Sequence, residues 1–353
     1  MSDSDTDDRR PRVHVVGCGG TIASEPGDDG AAPEKTAADL LAAVPGLTDH
    51  ARVTAETVAD RPGFDMTFGA IERAAAAIRA ATDEGRSGDG NADQDRKAAD
   101  GVVVTHGTDT LADTAYALAL VDLVDRPVVV TGAQRRLDEP SSDVAANLTT
   151  AVRAAGDDRF APGVHVAFDG ELHPAADVVK RHTTALGTFG SPDAGLVAAF
   201  SRSGVRIHRE PRNRTPTVRW LGDDGPPAGE LSVPVVHSGT GVDAAPLRRA
   251  LAADVDGVVV AGTGLGNVTG PLGEALADAA DRLPVVVASR CHAGPTEPVY
   301  GTPGGAVSLA EAGVAFAGDL PTAKARLTLI CALAAGRSEP TASSLYGNGS
   351  DGT

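Results

Sequence analysis

Two stretches of the chain place hydroxyl side chains directly after an apolar run and a glycine. The first is Val13-His14-Val15-Val16-Gly17-Cys18-Gly19-Gly20-Thr21-Ile22-Ala23. The second is Gly101-Val102-Val103-Val104-Thr105-His106-Gly107-Thr108-Asp109-Thr110-Leu111. Each reads as a strand ending in a tight turn, because glycine accepts φ > 0 and lets a ligand approach bare backbone. Thr21 and Thr108 would then stand at the mouths of two strands, where open α/β sheets bind ligands. A hydroxyl attacks carbon only when a base takes its proton. Taken alone, the first stretch is also explained by an ordinary turn in which Thr21 caps the next segment. The second stretch repeats its grammar and adds Asp109 where a strand gives way to a helix. Backbone N–H groups and the helix dipole there favour negative charge, such as a substrate carboxylate. Asp109 would cap that helix or hold a substrate ammonium, and spacing leaves both open.

These residues need strands and helices to hold them, and the chain supplies both in alternation. Val13–Val16 reads as a strand, Ala37–Val44 as a short helix ended by Pro45-Gly46, and Arg52–Val58 as a strand. Thr67–Ala81 is helical, with Met66, Ala70, Ile71, Ala74 and Ile78 at roughly helical spacing. A polar loop over 83–99 precedes strand 101–105, helix 109–123, strand Val128–Val130 and a helix through Ala145–Ala155. Strand Val164–Phe168 and a polar, turn-rich stretch to Gly190 follow. A second alternating run has strands at Val233–Val236, Gly257–Val260, Pro284–Ala288 and Val314–Ala317, with helices at Ala244–Ala253, Pro271–Asp281 and Pro321–Ala335. Such alternation implies mostly parallel sheets covered by helices. The expected fold class is therefore α/β: a larger N-terminal domain with a mostly parallel sheet flanked by helices, and a smaller C-terminal α/β domain. The expected boundaries are a disordered acidic tail over 1–11, a catalytic domain over 12–205, a linker over 206–230, a second domain over 231–336 and a polar tail over 337–353.

Composition narrows the partners. The 353 residues are 42% hydrophobic, ample for a large core. No apolar run reaches membrane-spanning length, and the acidic N-terminus lacks the plan of a secretory signal, so a cytoplasmic protein without a membrane partner is expected. A net charge of −17 disfavours nucleic acid, whose phosphates need clustered Lys and Arg. The four lysines, Lys35, Lys97, Lys180 and Lys324, are set against abundant Asp, a balance that suits a halophilic source. The cysteines Cys18, Cys291 and Cys331 have neither disulfide-framework nor metal-ligand spacing, and no metal or cofactor is expected.

Gly19-Gly20-Thr21-Ile22-Ala23 together with Thr105-His106-Gly107-Thr108-Asp109-Thr110, about eighty residues apart, resembles the two signatures of bacterial-type L-asparaginases. The resemblance extends over nearly the whole chain. Asp177-Val178-Val179-Lys180 is similar to the segment bearing that family's catalytic lysine, Gly262-Thr263-Gly264-Leu265-Gly266-Asn267 to its small-domain glycine loop, and Thr322-Ala323-Lys324-Ala325-Arg326 to the start of its C-terminal helix. The resemblance implies hydrolysis of L-asparagine to L-aspartate and ammonia without metal or cofactor. It makes Thr21 the nucleophile and places Thr108, Asp109 and Lys180 across the substrate. It implies substrate contacts at Gly20, Gly63, Phe64, Gly107, Thr108, Asp109 and Ala133, with Asn267 and the loop of Glu297 and Tyr300 completing a neighbouring subunit's site in a homodimer or homotetramer. The chemistry is consistent: a lysine among apolar neighbours can lose its proton and act as base, and backbone N–H groups can hold an oxyanion. Lys180 also reads simply as a strand end reaching solvent. In a chain that uses arginine almost everywhere, a lysine there is less incidental.

Three departures from the family pattern stand out. Cys18 occupies a usual threonine position. Gly63, in Pro62-Gly63-Phe64-Asp65-Met66, stands where a serine hydroxyl usually meets the substrate carboxylate. Loop 24–35 lacks the tyrosine that assists the nucleophile in many relatives, which leaves Tyr300 or Glu297 as substitute bases. A broader glutaminase-asparaginase is the near alternative, since one methylene is worth only about 1–3 kcal/mol of discrimination. The asparaginase-like subunit of the archaeal glutamyl-tRNA(Gln) amidotransferase is another, although its extra N-terminal domain has no counterpart in the dozen residues before the first strand. A non-catalytic amino-acid-binding descendant is the alternative from a different class.

Overall fold

The structure is a computed structural model that describes residues 10–27, 30–83, 98–121, 123, 125–211, 215–222 and 225–337. The expected acidic tail up to residue 9, most of the polar loop 83–99 and the C-terminal tail from residue 338 lie outside the described residues. Contacts divide the chain into two units. Unit 1 is Met1–Ala119 with Leu123–Thr215, and unit 2 is Leu120–Asp122 with Pro216–Thr353.

In unit 1, β1 (Arg12–Gly19) leads through a 3-10 turn at Thr21–Ala23 into a small hairpin of β2 (Ser24–Glu25) and β3 (Ala32–Pro33). Helix α1 (Ala37–Ala43), opened by a Thr36/Asp39 capping box, precedes β4 (Arg52–Arg61). Then come α2 (Phe68–Thr82), β5 (Gly101–Thr105), α3 (Leu111–Ala119), β6 (Pro127–Thr131), α4 (Val144–Ala155) and β7 (Gly163–Phe168). Short strands complete it: β8 (Glu171–Pro174), β9 (Val179–Lys180), β10 (Phe189–Gly190), β11 (Ala198–Ser201) and β12 (Gly204–Ile207). Eight strands form one sheet in the order β12-β11-β8-β7-β6-β5-β1-β4. It is parallel from β4 to β7 and antiparallel beyond. Every residue of β5 and β6 is buried, which is why these strands read as unbroken apolar runs rather than alternating ones. Ala70, Ile71, Ala74 and Ile78 of the expected set are buried on α2, whereas Met66 precedes the helix and is half-buried.

The order carries a functional consequence. From β1 the chain goes to one side, to β4, and then returns to the other side for β5, β6 and β7. The switch point falls at the carboxyl ends of β1 and β5, the crevice where such sheets bind ligands. Both glycine–hydroxyl stretches therefore end at the same place.

Unit 2 holds β13 (Val235–His237), α5 (Ala245–Leu251), β14 (Val258–Gly262), α6 (Gly270–Ala280), β15 (Val285–Ser289), α7 (Ala306–Glu311), β16 (Ala315–Phe316) and α8 (Thr322–Ala334). Its four strands are parallel, in the order β13-β14-β15-β16, over a core that includes Val236, Leu247, Val260, Leu276 and Val287. Among the described residues no helix is long and apolar enough to cross a membrane.

The linker expected over 206–230 contains both structured and buried residues. Strand β12 runs to Ile207, the contact boundary follows Thr215, and Val218 and Trp220 are buried. The backbone of Val218 donates to the Leu120 carbonyl at 2.7 Å, which anchors that residue. The helix expected over 109–123 is shorter, at Leu111–Ala119, which leaves Asp109 outside it.

Candidate functional site

The end of β1 is re-aimed before it reaches Thr21. Its pairing with β4 shifts register between Gly17 and Gly19, an irregularity that bends a strand end. Gly19 and Gly20 then adopt φ of 80° and 83°, a region open to glycine. The Gly20 N–H donates to Arg61 O at 2.9 Å, and the Ser24 hydroxyl donates to Gly20 O at 2.9 Å. Gly20 takes the cap position of the turn and Thr21 its first residue, with no side-chain capping bond, so the capping explanation for Thr21 is set aside. Ile22 behind it is fully buried, an anchor that contributes about 1.5–3 kcal/mol. Among the described residues the Thr21 hydroxyl has no hydrogen-bond partner.

Three loops converge through glycine. A Cβ on Gly20 would lie 2.2 Å from the Gly107 N and Cα, and one on Gly63 would lie 2.8 Å from the Gly107 carbonyl carbon. A Cβ on Gly107 would meet Gly63 N at 2.6 Å and Gly20 Cα at 3.1 Å. Backbone therefore packs directly on backbone among the segments after β1, β4 and β5. The Thr110 hydroxyl fastens the same seam, donating to Gly63 O at 2.5 Å. Gly63 is thus more than a position that lacks a hydroxyl, since any side chain there meets Gly107. Phe64, the next residue, is 77% exposed, and Arg61 pairs with Asp65 at 2.7 Å across the turn.

The structure brings Thr108, Asp109 and Lys180 together. Lys180 Nζ donates to Thr108 Oγ1 at 2.9 Å and to Asp109 Oδ1 at 2.8 Å. Lys180 reaches them from β9, which pairs with β10 as a two-stranded hairpin at Lys180↔Phe189. Asp109 thus accepts from the Lys180 ammonium through Oδ1. Thr108 is buried, whereas the Asp109 side chain is 54% exposed and so open to a ligand. Lys180 is held between a hydroxyl and a carboxylate rather than among apolar groups alone.

His106, fully buried, supports the loop from beneath. Its Nδ1 lies 2.7 Å from Gly107 O, which can only accept, so Nδ1 carries the proton and Nε2 accepts from the Thr114 hydroxyl at 2.9 Å. Burial holds its pKa down to about 4, partly offset by the Gly107 bond, and the ring is neutral at neutral pH. Burial likewise pushes the Cys18 thiol up to about 12, with Arg73 opposing weakly, so Cys18 acts as a small apolar filler in β1.

Ala133 is buried after β6. Its neighbour Gln134, which the motifs do not reveal, accepts from the Thr108 hydroxyl at 3.0 Å. Its one signal in the sequence is that Val128–Thr131, Gly132 and Gln134 repeat the strand–glycine–polar grammar a third time. Asn267, Glu297 and Tyr300 lie in unit 2, outside the unit that carries the other candidates. There the Ala306 N–H donates to Asn267 Oδ1 at 3.1 Å, the Glu297 N–H to Leu265 O at 3.0 Å and the Val307 N–H to Tyr300 O at 3.0 Å. These bonds draw the glycine loop after β14 together with the loop before α7. Tyr300 is 55% exposed.

Comparison with known proteins gives this arrangement its family. Residues 12–213 match the family model described as "Asparaginase, N-terminal", and residues 232–345 match "Glutaminase/Asparaginase C-terminal domain". The chain belongs to the asparaginase family. This asparaginase-family chain is 35% identical over 339 residues to a probable L-asparaginase of Deinococcus radiodurans, covering 93% of this chain and 94% of that one. It is 33% identical to a subunit of the glutamyl-tRNA(Gln) amidotransferase of Haloquadratum walsbyi, over 93% of this chain and 72% of that protein. A crystal structure of a probable cytoplasmic L-asparaginase from Campylobacter jejuni aligns with a TM-score of 0.76 at 28% identity, over 92% of this chain and 95% of that one.

Proposed function

We propose that this asparaginase-family hydrolase releases ammonia from L-asparagine in the cytoplasm, with Thr21 as nucleophile. The observation that carries the reading is the Lys180 ammonium 2.9 Å from Thr108 Oγ1 and 2.8 Å from Asp109 Oδ1, at the switch point where the Thr21 loop also ends. In the proposed sequence Thr21 Oγ bonds to the side-chain amide carbon and gives up its proton to a base. The C–N bond then breaks as the nitrogen takes a proton and leaves as ammonia. Water adds to the resulting ester, and aspartate departs as Thr21 regains its proton. Thr108, held by Lys180, orients that water by accepting a hydrogen bond from it while the water's proton passes to the departing Thr21 oxygen, and Asp109 meets the substrate ammonium. Backbone N–H groups of the glycine-lined loops supply the oxyanion contacts. Asn267, Glu297 and Tyr300 enter from a second copy in a homodimer or homotetramer, with Tyr300 or Glu297 serving Thr21 as base.

A second reading is favoured by the Haloquadratum walsbyi relative, namely an amide hydrolase that serves an amidotransferase. Ammonia release from L-asparagine and L-glutamine, wild type beside Thr21→Ala and Lys180→Ala, tests the proposal. Release from asparagine that both substitutions abolish supports it. Equal rates on glutamine broaden the substrate, and saturable asparagine binding without ammonia defeats the hydrolytic reading.

A further inference from the structure

Gln134 occupies a junction that the proposed reaction does not yet use. Its side-chain Nε2 lies 3.2 Å from Thr183 O and 3.2 Å from Ala185 O. Carbonyls only accept, so the NH2 end of the amide faces them and Oε1 is fixed toward Thr108. There it accepts from Thr108 Oγ1 at 3.0 Å. Thr183 and Ala185 belong to the turn joining β9 to β10, immediately after Lys180. That turn is closed on itself. The N–H groups of Thr184 and Ala185 both donate to His182 Nδ1 at 3.0 Å, and the Arg181 N–H donates to Thr188 O at 2.7 Å. One amide therefore joins three parts: the loop after β5 that carries Thr108, the loop after β6, and the hairpin that carries Lys180.

The loop that bears Gln134 is itself held. The Asp143 carboxylate accepts the Gln134 N–H at 3.0 Å and the Arg135 N–H at 2.9 Å. Asn147, almost fully buried, donates from Nδ2 to Asp143 Oδ2 at 2.9 Å and to Gly132 O at 3.0 Å. Gln134 is thus braced by α4 on its backbone side.

We propose that Gln134 is a positioning residue: it sets the direction of the Thr108 hydroxyl and fixes the Lys180 hairpin against it. Proton counting sets that direction. The Lys180 ammonium has donors only, so Thr108 Oγ1 must accept from it. The single hydroxyl proton of Thr108 is then committed to Gln134 Oε1. One lone pair of Thr108 remains, free to accept from a water or an ammonium in the site. Without Gln134 the hydroxyl rotates freely, and the hairpin loses two ties close to Lys180. Gln134 touches no reacting atom in this scheme and acts through Thr108 and Lys180.

The inference rests on the hydrolytic reading, and one experiment separates the two. Wild type, Gln134→Met and Gln134→Glu are assayed for ammonia release from L-asparagine across pH, with rates normalised to the folded fraction read by near-UV circular dichroism. Gln134→Met keeps the length and removes donor and acceptor; kcat is expected to fall about tenfold or more with KM within about threefold. Gln134→Glu sets a carboxylate against two carbonyls, so its kcat is expected to be low at neutral pH. It recovers relative to wild type as the acid protonates and can again donate to a carbonyl while accepting from Thr108. That recovery is read within one protein sample, whatever the Met variant does to folding. Unchanged kcat in Gln134→Met, a loss carried by KM alone, or a Gln134→Glu profile parallel to wild type overturns the role of Gln134. Wild type that releases no ammonia overturns the hydrolytic reading itself.

Discussion

His106 should make the fold sensitive to acid in a way that a single substitution can isolate. Its imidazole is fully buried, with its proton on Nδ1 facing Gly107 O and Nε2 accepting from Thr114. Burial lowers the folded pKa from 6.5 to about 4. The folded value lies below the unfolded one, so the unfolded chain binds more protons between those two pH values. The contribution is complete above about pH 6.5 and is lost as pH falls toward about 4. From about pH 7.5 to about pH 5 the loss from this residue alone is about 2 kcal/mol, with a slope near the middle of the window approaching that of one full proton. The perturbation is His106→Gln, which keeps a donor and an acceptor but does not titrate. Urea unfolding at several pH values gives stability against pH for both proteins. The variant starts less stable at neutral pH, because its hydrogen bonds are imperfect, and its slope is shallower by about one proton's worth. His165, equally buried and also lowered to about 4, chiefly by burial, supplies a control: His165→Gln flattens the slope similarly at a position outside the candidate site. Curves for wild type and His106→Gln that run parallel through this window would refute the reasoning.

Three further outcomes are expected of the same molecule. Gly20→Ala puts a Cβ 2.2 Å from Gly107 backbone at a φ of 83°, and the combined strain and overpacking should cost about 3 kcal/mol or more; a shift of the urea midpoint worth under about 1 kcal/mol contradicts the close approach. Thiol titration of the native protein should find Cys291 reactive while Cys18 and Cys331 wait for unfolding, since the first is exposed and burial pushes the thiols of the other two far up; three equally fast thiols would disprove it. The net charge of −17 should make the unfolding temperature fall on dilution from concentrated to low salt, and a melting curve that ignores salt removes the case for a halophilic source.

Legibility in the sequence tracks how local the cause is. The strand–glycine–hydroxyl stretches around Thr21 and Thr108 are readable because each is contiguous, and the alternation of apolar runs with helical spacing points to the two sheets, one mostly parallel and one wholly so. Lys180 comes into view through its resemblance to a known segment, because a two-residue strand such as β9 leaves no periodic trace. For Gln134 the repeated strand–glycine–polar grammar marks the loop but not what the side chain binds. Its partners Thr183 and Ala185 are far along the chain, and nothing in Gly132-Ala133-Gln134 announces them. Gly63 misleads for the same reason: the sequence offers a missing hydroxyl, whereas the close approach of Gly107 becomes visible only when β4 and β5 lie on either side of β1. The stretch 206–230 reads as a linker because its periodicity is lost among clustered Arg, Pro and Gly, yet the isolated apolar residues Val218 and Trp220 within it are buried as thoroughly as periodic ones.

The glycine seam has a consequence for the order in which the molecule comes together. Gly20, Gly63 and Gly107 lie roughly forty residues apart in turn, so each contact closes a long loop whose entropy must be spent before the contact can form. The three glycines have no side chains with which to bind early. The Thr21 turn therefore acquires its final shape only after β1, β4 and β5 have already docked, late in folding. Amide exchange at Gly20, whose N–H is held by Arg61 O, should then report opening of the whole parallel sheet rather than fraying of a surface loop. An intermediate of this chain with partial sheet structure would carry every residue of the site and still lack the site.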